Sequence, residues 1–510
     1  MSEAANDTTP SSRKWTIAIV AVSAVAVALR FADLGGKSLW FDEALSIADS
    51  VSLSSRFGSG YHPPLFYYVL HAMIALFGES PSVVRLVAAI PGALTIPALY
   101  LAARRMFGER AALVASILLT VSSLHVEYSQ EVRMYALATF FLTVATIAAS
   151  HLFARDGELP ARRQWVIAIL YTCGAYLAMA THYLAVFVVA AQALALIVCW
   201  PRTRAVVIKL AALQAPALVA AGVVVVLAGY GRRIGVAAEF FANRGGVNQT
   251  IFSDVGQHLL HLPQDLLLAI LPGLNLKWLA IASYRLPAFI VFDVIAIVAF
   301  VVLARRNDIP YERRVFALVT ALVPLPVVSL MLGPEQLRFF LVVAPFLALA
   351  IGAGLDGLRP AWAVWTTTAV LVVTSGLAVW WYYDPGMDKQ PWRRVGEIVS
   401  QQSRAGDIVL INEPHLEIAF DRYYTPKTGV DVEGYPEVGG IRVTPENMER
   451  WFFPLVRDAR RVWFVRMSAT ASHSDPDALA LKWLDANFHR VSRVRELGYN
   501  GDIEIVLYER

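Results

Sequence analysis

The stretch that decides the fold is LWFDEALS, residues 39–46, which sets two adjacent carboxylates, Asp42 and Glu43, among apolar and aromatic residues. It comes soon after the first long apolar segment of the chain, at 15–34. Acidic side chains at a membrane boundary cost free energy and are usually kept because a site uses them. We therefore expect a functional site at Asp42 and Glu43, next to a membrane span.

The composition is that of an integral membrane protein. Of 510 residues, 57% are hydrophobic and 16% charged, with a mean hydropathy of +0.53, whereas soluble chains carry about a quarter charged residues. The net charge of +4 is small and its basic residues are scattered, which argues against a nucleic-acid partner. Cys173 and Cys199 both lie in apolar segments and leave no disulfide framework or thiolate metal site.

Basic residues at the ends of the apolar segments set their direction. Arg13 and Lys14 put the N-terminus in the cytoplasm, and Arg104 ends the span at 83–103 on the same side. The intervening segment at 64–77 therefore cannot also cross, and we interpret it as an interfacial helix. Further spans are predicted at 110–124, 132–150, 165–180, 184–200, 206–229, 286–304, 315–332, 338–356 and 361–382, with an interfacial or re-entrant stretch near 263–281.

The predicted fold is a polytopic α-helical membrane protein with about eleven spans, the N-terminus inside and the C-terminus outside. Residues 1–14 form a disordered tail, 15–383 the membrane domain with the outer loop 35–82, and 384–510 a soluble α/β domain outside. In that domain, strands at Ile408–Ile411, Val462–Val465 and Ile503–Tyr508 alternate with helical patterns at 392–404, 445–458 and 476–488. We interpret it as a cap or acceptor-docking module.

This topology gathers most of the unusual polar residues on the outer face: Asp42, Glu43, His62, Glu127, Glu131, Arg133, His182, Arg232, Arg233, Glu335 and Arg338. Adjacent carboxylates such as Asp42 and Glu43 point in different directions on a helix or strand. One could accept a proton from an attacking hydroxyl while the other orients a neighbour. The alternative is that Asp42 caps a helix beginning near Glu43.

Residues 125–135, HVEYSQEVRMY, are the second polar stretch. Glu127, Glu131 and Tyr135 fall on one helical stripe, and an ion pair of Arg133 at a helix start is the structural alternative. A phosphate leaving group needs cations, for which Arg133 and Arg338 are candidates together with Arg232 and Arg233. Arg338 could instead only reach towards the membrane surface.

His62 precedes Pro63 and Pro64, which hold it on a rigid, extended turn. Such a histidine suits ligand binding or serves as a polar anchor. His182-Tyr183 is a weaker signal, and two histidines in unrelated loops do not make a metal site.

Together these motifs resemble the membrane-embedded, polyprenyl-phosphate-dependent glycosyltransferases of the GT-C class. The resemblance is strongest to the protein O-mannosyltransferases and the bacterial lipid A aminoarabinose transferases. It covers residues 30–140 and includes the segments 40–43, 62–68 and 76–80 with Arg85, then 128–135 and, more loosely, 182–183, 338–339 and 391–393.

The resemblance implies an inverting transfer of a sugar from a polyprenyl monophosphate to an envelope lipid or glycan, at the outer face of a bacterial inner membrane. Asp42 would be the catalytic base or acceptor anchor, supported by Glu43. The donor and its phosphate would be bound by Arg133, Arg338, His62 and Tyr135. Acceptor or supporting roles would fall to Glu127, Glu131, His182 and Tyr183.

The sequence departs from these relatives at His62, where lipid A aminoarabinose transferases tend to have Lys. It also has no second acidic motif of the metal-dependent oligosaccharyltransferase kind, so neither a metal nor a cofactor is expected. Apart from membrane lipids, the expected partners are the lipid-linked donor and the acceptor. The alternatives are a lipid-linked sugar transporter or flippase, a ligase or polymerase using a lipid diphosphate, a protein O-mannosyltransferase, and a structural protein with a docking domain.

Overall fold

The structure is a computed structural model that describes residues 10–52, 62–153, 159–200, 203–214, 285–332, 337–384, 386, 388–436 and 442–510. The chain divides into two compact units. Unit 1 comprises Met1–Ala32, Ser54–Val69 and Leu86–Tyr382. Unit 2 comprises Asp33–Leu53, Leu70–Arg85 and Tyr383–Arg510, so it joins the region of the acidic motif to the C-terminal part of the chain.

The described residues before residue 383 are mainly helical. Its helices are α1 (Pro10–Phe31), α2 (Phe41–Val51), α3 (Leu65–Phe77), α4 (Pro81–Phe107), α5 (Glu109–Thr120), α6 (Ser123–Ser129), α7 (Tyr135–Ser150), α8 (Ala161–Thr181), α9 (Ala185–Val198), α10 (Arg285–Arg305), α11 (Tyr311–Leu322), α12 (Pro324–Leu332), α13 (Ala344–Leu355) and α14 (Ala361–Tyr382). Residues 203–214 are also helical, and a 3₁₀ helix covers Leu337–Val343.

Among the described residues, five helices are long and apolar enough to cross a membrane: Arg13–Phe31, Pro81–Phe107, Ala161–Thr181, Arg338–Leu355 and Ala361–Tyr382. Helices α5 and α6 make a sixth if the pair, bent by 61°, is one span. The predicted span at 315–332 is broken between α11 and α12, where Pro324 cannot continue the hydrogen-bond ladder.

Some of the predicted spans cannot be compared with the structure. Most of the segment at 206–229 and the whole stretch at 263–281 lie outside the described residues. The total of eleven spans and their direction therefore remain predictions.

Small residues let the helices of unit 1 approach closely, as is usual between helices in a membrane. A Cβ on Gly354 of α13 would lie 2.0 Å from the carbonyl oxygen of Ala299 in α10. A Cβ on Gly352 would lie 2.8 Å from the backbone nitrogen of Ala115 in α5. Helix α13 is buried along its whole length, which places it at the centre of this unit.

Unit 2 contains a five-stranded sheet with the order β2-β1-β3-β5-β4. The strands are β1 (Asp407–Asn412), β2 (Asp431–Tyr435), β3 (Arg461–Met467), β4 (His489–Glu496) and β5 (Ile503–Glu509). The helices are α15 (Trp392–Gln402), α16 (Glu417–Phe420), α17 (Pro445–Trp451), α18 (Phe453–Val456), α19 (Ser468–Ser474) and α20 (Leu479–Asn487), with a 3₁₀ turn at Pro414–Leu416. The three strands predicted from the sequence fall within β1, β3 and β5.

Strand β1 lies between β2 and β3 and is parallel to both, whereas β5 is antiparallel to β3 and β4. The apolar residues of β1 are buried on both faces of the sheet, as expected for a strand between two parallel neighbours. One hydrophobic core includes Trp392 of α15 together with Ala44 of α2. Helix α2, which carries the acidic motif, thus packs into the core of the α/β domain.

Candidate functional site

In unit 2, the acidic motif forms the first turn of α2. The helix begins at Phe41, and Trp40 is its N-cap residue. The carboxylate of Glu43 accepts a hydrogen bond from the Trp40 N–H at 3.3 Å and closes the N-terminus. The alternative that Asp42 caps a helix beginning near Glu43 is therefore wrong, because Asp42 already lies inside the first turn.

Glu43 forms a buried ion pair with Arg85. Arg85 Nε is 2.9 Å from Glu43 Oε1, and Arg85 Nη2 is 2.9 Å from Oε2. The exposed fraction is 1% for Glu43 and 4% for Arg85. The remaining guanidinium hydrogens bond to the carbonyl oxygens of Leu34, Lys37 and Ser38. The pair thus fixes the loop that leads into the motif.

Residues from the C-terminal part of unit 2 bind the backbone of this loop. The Ser38 N–H and hydroxyl donate to the carboxylate of Asp388 at 3.1 and 3.0 Å. The Leu39 N–H donates to the Tyr423 hydroxyl at 2.7 Å. The Phe41 N–H donates a hydrogen bond to Gln390 Oε1 at 3.0 Å. The Lys389 ammonium lies 4.1 Å from the centre of the Trp40 ring. The α/β domain therefore acts as the scaffold of the acidic motif.

In unit 1, the polar stretch 125–135 is broken by a turn between two helices. Helix α6 ends at Ser129 and α7 begins at Tyr135, and the Arg133 N–H donates to the Glu131 carbonyl oxygen at 2.7 Å. The prediction that Glu127, Glu131 and Tyr135 share one helical stripe is therefore wrong.

Tertiary hydrogen bonds explain the break. The Gln130 side-chain amide donates to carbonyl oxygens at the C-terminal end of α1 and to that of Ala32, the residue after α1, at 2.8 Å. The Tyr382 hydroxyl of α14 donates to Gln130 Oε1 at 2.9 Å. Gln130 thus fixes the turn to the end of α1 and to α14. Glu127, Glu131 and Arg133, which are close to Gln130 in the sequence, are also buried.

A buried arginine of α1 supports the preceding bend between α5 and α6. Arg30 has no exposed surface, and its guanidinium donates to the carbonyl oxygens of Leu119 and Thr120 at the end of α5. It also lies 2.9 Å from Nδ1 of His125 in α6. Arg30 supplies the hydrogen bonds that the broken helix cannot make within itself.

An aromatic cluster in unit 1 joins several predicted donor-site residues. The ring of His182 lies 5.0 Å from that of Tyr135 and stacks on His62 at 6.0 Å. Phe339 lies 6.4 Å from His182. The Arg133 guanidinium lies over the Tyr135 ring and that of Arg338 over the Phe339 ring, at 6.0 and 5.2 Å. The cluster therefore places two cations beside a ring of aromatic side chains.

His182 has a defined tautomer. It follows the last residue of α8, and its Nδ1 accepts a hydrogen bond from the Leu184 N–H at 3.1 Å. Since Nδ1 is an acceptor, the neutral ring carries its hydrogen on Nε2. Burial and the charges of Arg133 and Arg338 lower the pKa of His182 to about 3, so the ring is neutral at neutral pH.

The structure thus brings together His62, Arg133, Tyr135, His182 and Arg338 in unit 1. Glu127 of α6 and Glu131 of the turn that follows are buried. Asp42 and Glu43 belong to unit 2. Tyr183 has an exposed fraction of 55%. Arg232, Arg233 and Glu335 lie outside the described residues. Within the described part of the chain, no group of three or more His, Cys, Asp or Glu could hold a metal ion.

Sequence reasoning missed the residues that position the motifs: Arg30, Gln130, Asp388, Tyr423 and Gln390. Arg30 carried a usable signal, because an arginine within an otherwise apolar segment is expensive and therefore informative. The others are ordinary polar residues in polar surroundings, and their partners are remote in the sequence.

Comparison with known proteins supports the same fold. Residues 61–228 match the family model described as dolichyl-phosphate-mannose-protein mannosyltransferase. No curated protein sequence matches the chain. ArnT from Cupriavidus metallidurans, solved with undecaprenyl phosphate, has 14% identity and a TM-score of 0.54, with 97% of this chain and 98% of ArnT covered.

The oligosaccharyltransferase of Archaeoglobus fulgidus, tethered to an acceptor peptide, has 13% identity and a TM-score of 0.54, over 88% of this chain and 69% of the other. The same organism's AglB, solved with an inhibitory peptide and a dolichol-phosphate, has 14% identity and a TM-score of 0.50, over 89% and 69%. The chain therefore has the fold of GT-C class polyprenyl-phosphate-dependent glycosyltransferases, and the resemblance predicted from its motifs is confirmed.

Proposed function

We propose that the protein is an inverting glycosyltransferase that moves a sugar from a polyprenyl-monophosphate donor to an envelope lipid or glycan. The reaction would take place at the outer face of a bacterial inner membrane. The observation that carries this proposal is the pair of cations, Arg133 and Arg338, beside the aromatic cluster of unit 1. Cations held among aromatic side chains at the ends of apolar helices suit the phosphate of an amphiphilic donor.

In the proposed reaction, an acceptor hydroxyl attacks the anomeric carbon of the sugar. The bond from that carbon to the phosphate oxygen breaks, and the polyprenyl phosphate leaves with the electron pair. Arg133 and Arg338 stabilise the negative charge that develops on the leaving phosphate. The proton of the acceptor hydroxyl passes to the carboxylate of Asp42. A single displacement of this kind inverts the configuration at the anomeric carbon.

Asp42 is a better candidate for the general base than Glu43. Both carboxylate oxygens of Glu43 already accept hydrogen bonds from Arg85, so this carboxylate holds the loop in place. Asp42 is half-buried in the first turn of α2, and the hydrogen bonds to Ser38, Leu39 and Phe41 hold that turn in place. A fixed backbone is what a positioned proton acceptor requires.

The acceptor has one competing candidate. The description of the matching family model favours a protein acceptor, so protein O-mannosylation is the second proposal for the same chemistry. The two proposals share the donor and the residues named above, and only the identity of the labelled product separates them.

The test is transfer from a panel of radiolabelled polyprenyl-phosphate sugars to envelope extracts, with wild type compared with Asp42→Asn. Asp477→Asn, the same change at an exposed aspartate, is the matched control. We expect label to move with wild type and the control, and Asp42→Asn to keep donor binding but lose transfer by at least about 100-fold. Equal transfer by all three would remove Asp42 from the mechanism. Movement of donor across the bilayer without transfer would establish a lipid-linked sugar transporter instead.

A further inference from the structure

The imidazole of His182 is a neutral hydrogen-bond donor in a buried position. Its Nδ1 accepts the Leu184 N–H, so its hydrogen is on Nε2. His182 has an exposed fraction of 4%, and none of the described residues accepts a hydrogen bond from Nε2. Buried donors of this kind nearly always have an acceptor. The geometry of the described residues therefore leaves one donor position for a ligand.

The surroundings of the ring indicate the chemistry of that ligand. The Arg133 guanidinium lies over the Tyr135 ring and the Arg338 guanidinium over the Phe339 ring, and both of these rings lie next to the imidazole. The ring packs between His62 and Tyr135, which fixes its plane. A hydrogen-bond acceptor that satisfies the Nε2–H next to two fixed positive charges is best an anion.

We propose that the Nε2–H of His182 is a third ligand of the donor phosphate and binds alongside Arg133 and Arg338. This inference rests on the proposed function and reassigns His182 from a supporting role to the donor site. In a polyprenyl-phosphate sugar, the phosphate joins two carbons and has one negative charge with two free oxygens. The Nε2–H is an uncharged donor, so it can bond to one of those oxygens without adding a further charge to the site.

The test measures binding of undecaprenyl phosphate to the purified full-length protein in lipid nanodiscs, with inorganic phosphate as the second probe. His182→Phe keeps an aromatic ring and removes the donor. His182→Gln restores an N–H near the position of Nε2, whereas the amide of His182→Asn reaches only the position of Nδ1. We expect His182→Phe and His182→Asn to weaken lipid binding by about 10- to 100-fold and His182→Gln to stay within a few-fold of wild type.

The outcomes separate the inference from the proposed function. Wild-type affinity in His182→Phe and His182→Asn, with weaker binding in Arg133→Gln, would overturn the inference and leave the function standing. If neither wild type nor Arg133→Gln binds undecaprenyl phosphate, the proposed function fails first. Equal effects of His182→Phe on lipid-linked and inorganic phosphate would show a site for free phosphate and would also overturn the inference.

A measurement on wild type covers the case in which a variant does not fold. Protein labelled with ¹⁵N-histidine should show the Nε2–H proton of His182 moving downfield when undecaprenyl phosphate is added. The resonance is assigned by its loss in His182→Gln. A resonance that does not move at saturating lipid would contradict the hydrogen bond.

Discussion

Arg85 donates a hydrogen bond to each carboxylate oxygen of Glu43, at 2.9 Å in both cases. Both side chains are almost fully buried, and the pair closes the loop before α2. The two adjacent acids of the motif therefore differ in what they can do. Glu43 is committed to holding the loop, and its neighbour Asp42 is the acid proposed to take the proton.

The first prediction separates these roles by stability. In Glu43→Gln, the buried guanidinium of Arg85 loses its counter-charge, which should lower the free energy of unfolding by about 3–5 kcal/mol. Asp42→Asn keeps the Glu43–Arg85 pair and should unfold near the wild-type temperature. Thermal unfolding of the two variants in nanodiscs measures the difference. Equal loss of stability in both would mean that the ion pair does not organise the loop.

The second prediction concerns the scaffold role of the α/β domain. Tyr423→Phe removes the acceptor of the Leu39 N–H, which lies next to the acidic motif. We expect faster hydrogen exchange at the Leu39 amide and lower transfer activity, because leaving that N–H without its acceptor costs about 1–3 kcal/mol.

Tyr508→Phe is the control for this experiment. It is the same change in the same domain, and it removes a hydroxyl that donates to Asp485 at 2.8 Å. Exchange at Leu39 should not change in this variant. Slower exchange, or no change, in Tyr423→Phe would refute the scaffold role.

Local patterns explain what the sequence could predict. Runs of apolar residues gave the helices that lie between basic loops, and the short apolar run of β1 gave a buried strand. These features depend on residues close together in the chain, so periodicity and composition contain them.

The rest depends on partners that no local pattern connects. Ser38 and Asp388, which bond to each other, are 350 positions apart. The stretch 125–135 has the periodicity of one helix, yet the bonds from Gln130 to the end of α1 break it into a turn. Tertiary hydrogen bonds outweighed the local preference there, and only the fold shows them.

The third prediction concerns the close packing of α13. In Gly354→Ala, the new Cβ would meet the backbone of Ala299, with 2.0 Å to the carbonyl oxygen, so the two helices must move apart. We expect a loss of about 1–3 kcal/mol in unfolding free energy. Gly376→Ala in α14 is the control, because nothing lies within 4 Å of its Cβ. Chemical denaturation in detergent compares the two, and an equally mild effect at Gly354 would contradict the packing.

The fourth prediction concerns Gln130. Gln130→Glu has nearly the same shape but replaces the donating amide by a carboxylate that faces carbonyl oxygens at the end of α1 and that of Ala32. This should cost at least about 1–3 kcal/mol, with more expected for a charged group. Tyr382→Phe removes only the bond to Gln130 Oε1 and should cost less. Unfolding temperatures of the two variants test this order, and the reverse order would show that the α1 contact does not hold the turn.

The last prediction is a pH dependence of stability that belongs to His182. Burial and the charges of Arg133 and Arg338 lower its folded-state pKa to about 3, whereas the unfolded value is about 6.5. Below about pH 6.5 the unfolded chain therefore binds one more proton than the folded chain, at His182. The stability that comes from this pKa difference is fully present above pH 6.5 and is lost as the pH falls towards 3. About 1 kcal/mol should be lost between pH 6.5 and 5.5, and about 1.4 kcal/mol for each further pH unit down towards 3.

The free energy of unfolding is measured across this pH range for wild type and for His182→Gln. The difference between the two curves gives the contribution of His182, since the other titratable groups are common to both proteins. Within the described residues, the charged or titratable groups beside the ring include Arg133, Arg338, His62 and Tyr135. Of these, His62 is the other imidazole, so His62→Gln is the matched control and should keep the His182 dependence. If the stability of wild type and His182→Gln falls in parallel, the ring takes up its proton in the folded state, and a neutral donor at this position is ruled out.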